Sequence, residues 1–380
     1  MDFNLTKEQE DIAKAAREFA LGEFPERAQE FDRNETFDLD IWRKACELGF
    51  VGVFIDEVYG GAGLGLFEHC LIAEEFWAVD AGMGNAVITT TFGAELLGLF
   101  GTEEQKMKYL PPLVKGEAII STAITEPDAG SDVTCAATKA VREGDEYVIN
   151  GSKIFITNGT LASFMNVFCL TDPENPDRHK RHSFFIVETD RPGFEATKLR
   201  GKLGIRANDT AEVSFSDVRI PASNLIGEEG NGFKELMAFF NQTRLHICAM
   251  AVGLARSAME ESIAHIKRRH QFGAPLASFQ ANQFKIAEMA TMIRAARNLY
   301  YEAAWRTDQG RMDHALTAMA KWYCGEMAVK CADEAVQMHG GYGYMDEYRV
   351  QRMYRDAKIL EIYEGTKEVE KIIVARTFLR

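Results

Sequence analysis

One carboxylate near the C-terminal end of this 380-residue chain is placed where it could act as a base. Glu364 lies in EIYEGT (361–366), after an apolar Ile-Tyr pair and before the Gly-Thr of a predicted turn. A glutamate in a helical tail is ordinarily a solvated surface charge. Flanked by Tyr363 and Gly365, however, it could sit in a dry pocket, where desolvation raises the pKa of a carboxyl group and makes it a stronger base. The two interpretations imply different functions.

A second group of polar residues lies in TAITEPDAGSDV, residues 122–133. Thr122, Thr125 and Ser131 offer hydroxyl groups, and Gly130 lets a ligand approach the backbone closely. These residues would suit a polar ligand. The alternative is a loop whose Asp and Ser side chains cap their own backbone.

Arginines in two helical segments could bind an anionic ligand. Arg244, in NQTRLH (241–246), carries the planar fork that matches anionic or carbonyl-rich groups. RRHQFG (268–273) places two arginines before Phe272 at a predicted helix end, where the helix dipole favours cations in any case. For each segment taken alone, a solvated helix surface is the simpler interpretation.

Two glycine-rich segments, GGAGLG (60–65) and GGYGY (340–344), are candidates for a dinucleotide site but do not match the GxGxxG fingerprint. Neither segment follows a predicted strand and opens a helix within a βαβ unit. We therefore interpret them as turns between helices, and a nicotinamide cofactor is disfavoured.

The elements that must position these residues change from helical to β and back to helical along the chain. Residues 1–117 predict an all-α domain, which begins with a capping box at Thr6 and Gln9. Residues 118–228 predict an antiparallel β-domain without alternating helices, and residues 229–380 a four-helix bundle. The fold class is therefore α+β.

Two sets of residues carry this prediction. The predicted strands are rich in β-branched and aromatic residues: YVING (147–151), KIFITN (153–158), FMNVFCLT (164–171), SFFIVET (183–189) and AEVSFSDVRI (211–220). One bundle helix has an apolar seam that steps by three and four residues: Ile286, Met289, Ile293, Ala296, Tyr300 and Ala303.

Composition excludes several classes of protein. A net charge of −14 argues against nucleic-acid binding, which needs a basic surface to displace counterions. The seven cysteines form no CxxC pair, so neither a disulfide framework nor a zinc site is expected, and we expect no metal. We see no targeting segment and no apolar run of membrane-spanning length, which predicts a soluble cytoplasmic protein without a membrane partner.

Taken together and in this order, the motifs resemble those of the acyl-CoA dehydrogenase family of flavoproteins over nearly the whole chain. The segments that carry the resemblance are EVYGGAG (57–63), AITEPDAGSD (123–132), NGSKIFITN (150–158), IGEEGNGF (226–233), RRHQFG (268–273), AVQMHGGYGY (335–344) and RDAKILEIYEGTKEV (355–369). The family has the same helical–β–helical order. The resemblance implies FAD as the cofactor, an acyl-CoA substrate, electron-transferring flavoprotein as a partner, and a homotetramer.

The resemblance also assigns residues to the cofactor. Those expected around the flavin ring and the nearer part of FAD are Thr122, Ile124, Thr125, Gly130, Ser131, Phe155, Thr157, Thr366 and Glu368. Those expected to contact the FAD of an adjacent subunit are Arg269, Gln271, Phe272, Gln337, Gly340 and Gly341. Many relatives have Trp at the position of Phe155, and either ring can shield the edge of the flavin.

For the substrate, the resemblance implies that Glu364 removes the α-proton while a hydride passes from the β-carbon to the flavin. Some relatives instead place the base at the position of Thr243. The remaining residues expected at the acyl-CoA are Ser131, Phe240, Asn241, Arg244, Tyr363 and Gly365. Several relatives have Asp at the position of Asn241.

The acyl group is expected to be short or compact, whether linear, branched or alicyclic. Residues 85–100 with Phe239, Phe240 and Tyr363 should line its pocket, and Phe92 is bulky. No Lys or Arg occurs at 79–100 to pair with a distal carboxylate, so a dicarboxylic acyl group is disfavoured. The alternatives are a dehydrogenase of cyclohexanecarbonyl-CoA or of a 1-ene ring ester, an enoyl-CoA reductase, and an oxygen-using acyl-CoA oxidase.

Overall fold

The computed structural model describes residues 4–379, and its N-terminal part is helical. The helices are α1 (Lys7–Glu23), α2 (Pro25–Asn34), α3 (Leu39–Glu47), α4 (Leu66–Val79), α5 (Ala81–Ile88), α6 (Ala94–Phe100) and α7 (Glu103–Val114). The predicted capping box is confirmed, because Thr6 accepts from the backbone of Gln9 and the Gln9 side chain accepts from Thr6 N–H. The first helix therefore begins where the sequence places it.

The middle of the chain forms one eight-stranded sheet. Its strands are β1 (Ile120–Ala123), β2 (Lys139–Glu143), β3 (Glu146–Thr157), β4 (Phe164–Leu170), β5 (His182–Glu188), β6 (Phe194–Lys198), β7 (Thr210–Pro221) and β8 (Leu225–Ile226). Their order is β6-β7-β3-β2-β4-β5-β8, with β1 paired to β4. The segments predicted as two strands at 147–151 and 153–158 are one strand, β3, which is irregular where it pairs with β7.

The prediction of an antiparallel domain needs a correction. Most pairs are antiparallel, but β1 runs parallel to β4, and β2 meets β4 in parallel at Lys139 and Leu170. A hairpin cannot join parallel neighbours. The chain between β1 and β4 forms the crossover connection that a parallel pair requires, and this connection contains the β2–β3 hairpin.

The C-terminal part returns to helices. They are α8 (Gly232–Arg268), α9 (Gln280–Asp308), α10 (His314–His339), α11 (Arg349–Ala357) and α12 (Lys367–Phe378), and the short hairpin β9 (His270–Gln271) and β10 (Ala274–Pro275) joins α8 to α9. Helices α8, α9, α10 and α12 form the predicted bundle, with α10 in contact with the other three. The apolar seam of α9 is confirmed, since Met289 to Ala303 of that seam are buried and Ile286 packs against the core.

The α+β fold class and the order of helical, β and helical parts are confirmed. The predicted boundaries after residues 117 and 228 fall in the segments that join α7 to β1 and β8 to α8. Within residues 4–379, no helix has both the length and the apolar character needed to cross a membrane.

The two helical parts share one hydrophobic core, so they are not independent layers. Phe76 and Trp77 of α4 belong to the same buried cluster as Leu254 of α8. The sheet has a core on each face, and neighbouring residues of β4 divide between them: Phe168 packs towards α6, α7 and α8, whereas Val167 packs towards β7. Helices α6, α7 and α8 therefore cover one face of the sheet, and α8 also contributes residues to the candidate site.

A buried ion network fastens α4 to the bundle. Glu74, only 3% exposed, pairs with Arg297 of α9 at 2.6 Å and lies 3.6 Å from Arg256 of α8. The Tyr300 hydroxyl also donates to Glu74. Removing one member of a buried charge network leaves the others unpaired, which costs far more than breaking an exposed pair.

We expect Glu74→Gln to lower the free energy of unfolding by about 3–5 kcal/mol, because the amide cannot neutralise two arginines. The control is Glu18→Gln, which breaks an exposed pair with Lys14 at 3.8 Å and should cost less than about 1 kcal/mol. Urea unfolding followed by tryptophan fluorescence measures both. Equal losses in the two variants would show that the network does not stabilise the helical core.

Candidate active site

The segment that contains Glu364 is a strained turn between a short 3-10 helix (Lys358–Glu361) and α12. Glu364 has φ +56°, in the left-handed region that residues with a side chain seldom adopt, and Gly365 follows with φ +96°. Such strain persists only when the surrounding structure holds it. Thr366 ends the turn as the N-cap of α12, where its hydroxyl accepts from Val369 N–H.

Two cations hold the turn by its carbonyl groups. Arg244 Nε of α8 donates to the carbonyl oxygen of Glu364 at 3.1 Å, and Lys321 Nζ of α10 donates to that of Gly365. A Cβ on residue 365 would lie 2.2 Å from Glu370 Oε1 and 3.1 Å from Arg244 Nη2. Glycine is therefore required here both for its φ and for the space.

The carboxylate of Glu364 is half-buried and has one hydrogen-bond partner among the described residues. Thr243 donates its hydroxyl hydrogen to Oε2 of Glu364. Burial raises the pKa of Glu364 above its ordinary value, whereas the Thr243 hydrogen bond and the charges of Arg244 and Lys321 act in the opposite direction. A freely solvated surface carboxylate would show neither the burial nor these partners.

The Arg244 side chain has three polar partners among the described residues. Besides the Glu364 carbonyl, it contacts Asn241 Oδ1 at 3.4 Å and forms an ion pair with Glu370 Oε1 at 2.9 Å. Its side chain is 4% exposed. The predicted role of Arg244 in binding acyl-CoA stays a prediction, and the partners that the structure gives it support the turn.

Sequence reasoning missed Lys321 and Glu370, the two charged residues beneath this turn. Both side chains are fully buried. Lys321 lies among Ala318, Cys324 and Ala328 on the buried face of α10. The helical periodicity of the sequence places this lysine within an apolar stripe, which could have identified it as a buried charge.

Aromatic residues form a wall beside the turn. Phe92 and Phe239 pack edge to face with ring centroids 5.1 Å apart, and Phe240 lies next to Phe239 and beneath the Arg244 guanidinium. Tyr363 reaches Met250, with 3.8 Å between its hydroxyl oxygen and Sδ. Phe240 and Tyr363 therefore adjoin the turn, and their predicted contact with an acyl group stays a prediction. The sequence did not single out Glu95, whose pKa is raised by burial and also by the Glu364 charge, or His246, which lies 3.7 Å from Glu95.

The first set of predicted cofactor residues comes together on β1 and β3. Thr122 is buried in β1 and donates to the carbonyl of Phe92, and Ile124 follows it at the end of the strand. Thr125 is bound to β3 through Ile154 N–H, and Thr157 to β1 through the Ser121 hydroxyl. Phe155 lies between them on β3 with φ +60° and 66% exposure.

The other members of that set lie at its margins. Gly130 and Ser131 are exposed in the loop after β1. Thr366 is half-buried and Glu368 exposed at the start of α12.

The second set forms a separate exposed surface. Phe272, at the tip of the β9–β10 hairpin, is 97% exposed with φ +54°, and Gln271 lies beside it. The Arg269 guanidinium lies over the Tyr342 ring at 5.4 Å, which joins this hairpin to the segment after α10. Gln337, Gly340 and Gly341 are exposed there. Within residues 4–379, no hydrogen bond or ion pair connects the second set to the first.

Comparison with protein-family models accounts for almost the whole chain. The models for the N-terminal, middle and C-terminal domains of acyl-CoA dehydrogenases match residues 6–117, 121–218 and 230–379, in that order.

Curated relatives are similar over their full length. The chain is 43% identical to the short-chain-specific acyl-CoA dehydrogenase of Clostridium acetobutylicum, with 100% of both chains covered. It is 41% identical to the acryloyl-CoA reductase (NADH) of Anaerotignum propionicum, covering 100% of this chain and 96% of that one.

Solved structures agree with these matches. Butyryl-CoA dehydrogenase from Megasphaera elsdenii has a TM-score of 0.96 at 39% identity, and a chain from a structural study of the electron transferring flavoprotein of Acidaminococcus fermentans has 0.97 at 41%, each with 100% of both chains covered. A glutaryl-CoA dehydrogenase from Mycobacterium smegmatis in complex with FADH2 has a TM-score of 0.93 at 29% identity, with 99% of this chain and 95% of that one covered.

We expect Gly365→Ala to destabilise the protein by about 3 kcal/mol or more, since the new Cβ meets both a forbidden φ and the Glu370 carboxylate. Gly310→Ala is the matched control: Gly310 also has positive φ, but a Cβ there meets nothing within 4 Å. The extra loss in Gly365→Ala then measures the collision together with the larger φ of Gly365, +96° against +67° for Gly310. If both variants lose the same stability, the packing under the turn does not constrain residue 365.

Proposed function

This chain belongs to the acyl-CoA dehydrogenase family and is an enzyme of that class, and on that premise we propose that it dehydrogenates a short or compact acyl-CoA, with Glu364 as the base. The observation that carries the proposal is the Glu364 carboxylate, which has a raised pKa and is held in a strained turn beside an aromatic wall. The substrate becomes the 2-enoyl-CoA by losing a proton from the α-carbon and a hydride from the β-carbon.

Proton removal is the step in which this chain's own residues act. A C–H bond next to a thioester is a weak acid, so a base of ordinary carboxylate pKa would be poorly matched to it. Burial raises the pKa of Glu364 and so brings it closer to the pKa of the α-carbon. The Thr243 hydrogen bond fixes Oε2, which leaves Oε1 to accept the α-proton.

The developing enolate oxygen needs a hydrogen-bond donor. Glu364 N–H has no acceptor within residues 4–379, so it can donate to the thioester oxygen. A donor aimed at such an oxygen contributes about 3–4 kcal/mol to the transition state. Arg244 and Lys321 fix the turn through its carbonyl groups, so the N–H direction is set before the substrate binds.

The residues of the two predicted cofactor sets fit FAD. Thr122, Thr125, Phe155 and Thr157 offer hydroxyl groups and one exposed ring on adjoining strands, which suits a flat polar ring system. Arg269 is an exposed cation suited to a pyrophosphate, and the exposed Phe272 suits stacking or burial by a partner. FAD, when bound, would accept the hydride from the β-carbon.

The separation of the two sets supports an oligomer. The hairpin surface of one copy would complete the cofactor site of another, which agrees with the homotetramer that the sequence predicts. Ser131, Phe240, Asn241 and Gly365 are the remaining residues that we place at the acyl-CoA, with the acyl group against Phe240 and Tyr363.

Electron-transferring flavoprotein is the proposed acceptor, supported by the similarity to the chain from the Acidaminococcus fermentans study. The similarity to acryloyl-CoA reductase favours a second candidate, reduction of a 2-enoyl-CoA, in which protonated Glu364 returns its proton to the α-carbon. Both directions use the same residues. A distal carboxylate stays disfavoured, because no Lys or Arg at 79–100 would pair with it.

The proposal is tested by anaerobic titration of the FAD-loaded protein with butyryl-, isobutyryl-, glutaryl- and cyclohexanecarbonyl-CoA. We expect loss of the visible flavin band with one of the compact monocarboxylic esters and none with glutaryl-CoA. Bleaching by no ester, with recovery of the band when crotonyl-CoA is added to the reduced protein, would favour the reductase. A protein that binds no FAD would overturn the proposal.

Glu364→Gln should retain FAD and ester binding but slow flavin bleaching by about 100-fold or more, since the amide cannot accept the proton. Stopped-flow absorbance measures the rate, and calorimetry measures the binding. The control Glu47→Gln changes an exposed carboxylate of α3 and should leave the rate unaltered. Retention of rapid bleaching in Glu364→Gln would rule out this residue as the base.

Lys321→Met should shift the pH–rate profile to higher pH. The Lys321 charge lowers the pKa of Glu364, so its removal lets that pKa rise further, with Arg244, Glu370 and Glu95 unchanged around it. The base must be ionised, so the rate rises with pH through its pKa, and the loss should be larger at pH 6 than at pH 9. Lys321→Arg should restore much of the profile.

The exposed Lys330, which lies 3.8 Å from Glu288, provides a control as Lys330→Met. An identical pH–rate profile in Lys321→Met and Lys330→Met would mean that Lys321 supports the fold but does not influence the pKa of Glu364.

A further inference from the structure

One face of α8 lies along the proposed acyl site. Phe239, Thr243, His246 and Met250 recur at steps of four, three and four residues and are all buried. Thr243 donates to Glu364, and Met250 contacts the Tyr363 hydroxyl. On this face, His246 therefore lies between Thr243, which contacts Glu364, and Met250, which contacts Tyr363.

The segment before and within α6 forms the opposite wall and meets α8 at two levels. At the first, the Phe92 ring packs on that of Phe239. At the second, Glu95 Oε1 lies 3.7 Å from His246 Nδ1, while Glu95 Oε2 accepts from Gly93 N–H at 3.0 Å. An apolar level is thus followed by a polar one.

Two histidine nitrogens at the polar level lack a hydrogen-bond partner within the described residues. His246 Nε2 and His69 Nδ1 are buried and have no partner within residues 4–379, and the two rings lie 4.2 Å apart. His246 and His69 are 5% and 1% exposed, so bulk water does not satisfy them. Buried polar atoms are nearly always paired, which indicates that something with a polar atom belongs here.

We propose that Glu95, His246 and His69 form a subsite for a hydroxyl group on the acyl chain, so that the enzyme takes a short ω-hydroxyacyl-CoA in preference to the plain alkyl ester. The inference rests on the proposed function and names its substrate class. His246 is one helical turn beyond Thr243, about 4.5 Å along the axis, which places the hydroxyl on the fourth or fifth carbon.

A hydroxyl fits this subsite better than other groups. It both donates and accepts, so it can pair with His246 Nε2 whichever ring nitrogen carries the hydrogen. Burial lowers the pKa of both histidines and keeps them neutral, and so they would not attract a carboxylate. A methyl group would leave the ring nitrogen unpaired, which is the cost that gives such sites their discrimination.

The test uses the FAD-loaded Glu364→Gln protein, which should bind esters without turnover. Calorimetry compares 4-hydroxybutyryl-CoA with pentanoyl-CoA, which has the same number of heavy atoms, and 5-hydroxypentanoyl-CoA with hexanoyl-CoA. We expect at least one hydroxyl ester to bind about tenfold more tightly than its alkyl match. His246→Leu in the same background should abolish that ratio, whereas His314→Leu, at the exposed start of α10, should preserve it.

Equal affinities within both pairs, or a ratio unchanged by His246→Leu, would overturn the subsite. Should that variant lose FAD, Glu95→Leu provides a second test, because it removes the carboxyl group of the subsite, 3.7 Å from His246 Nδ1, and should also lower the ratio. Failure of all four esters to bind would count against the proposed function itself. In the protein with Glu364 intact, the same preference should appear in kcat/KM for flavin bleaching.

Discussion

The arrangement at Glu364 depends on buried charges beneath a strained turn. Lys321 and Glu370 are fully buried and Arg244 nearly so. Arg244 and Lys321 each bind one carbonyl group of the turn, and Arg244 also pairs with Glu370. Buried charges are costly unless paired, so this cluster has few alternative arrangements. The left-handed conformation of Glu364 is stable because those partners are already in place.

Helix α8 connects this cluster to the rest of the molecule. Its 37 residues contribute Thr243 and Arg244 to the turn, Phe239 to the core beside the sheet, and Leu254 to the core shared with α4. The buried network at Glu74 fixes α4 against α8 and α9. Glu364 and the aromatic residues Phe92, Phe239 and Phe240 therefore keep their relative positions only while both helical parts remain packed together.

The proposed acyl pocket contains buried polar residues as well as the apolar ones from which the sequence predicts its substrate. Bulky apolar residues at 85–100 predict a short or compact acyl group, and the pair of Phe92 and Phe239 agrees with that. Glu95 and His246 add a buried polar level that apolar side chains would not require. A site of this kind selects by the hydrogen bonds a ligand completes as well as by its size.

The sequence by itself determined the order of helical, β and helical parts, because periodicity is a local property, and it singled out EIYEGT because a turn signal and a carboxylate are adjacent. It could not supply the partners of Glu364: Lys321 and Glu370 lie on different helices, and Glu95 and His246 meet only when α6 packs on α8. The parallel pairing of β1 with β4 was missed for the same reason. Tertiary structure decided these features, since the pKa of a carboxyl group and the pairing of a buried charge depend on neighbours that are distant in sequence.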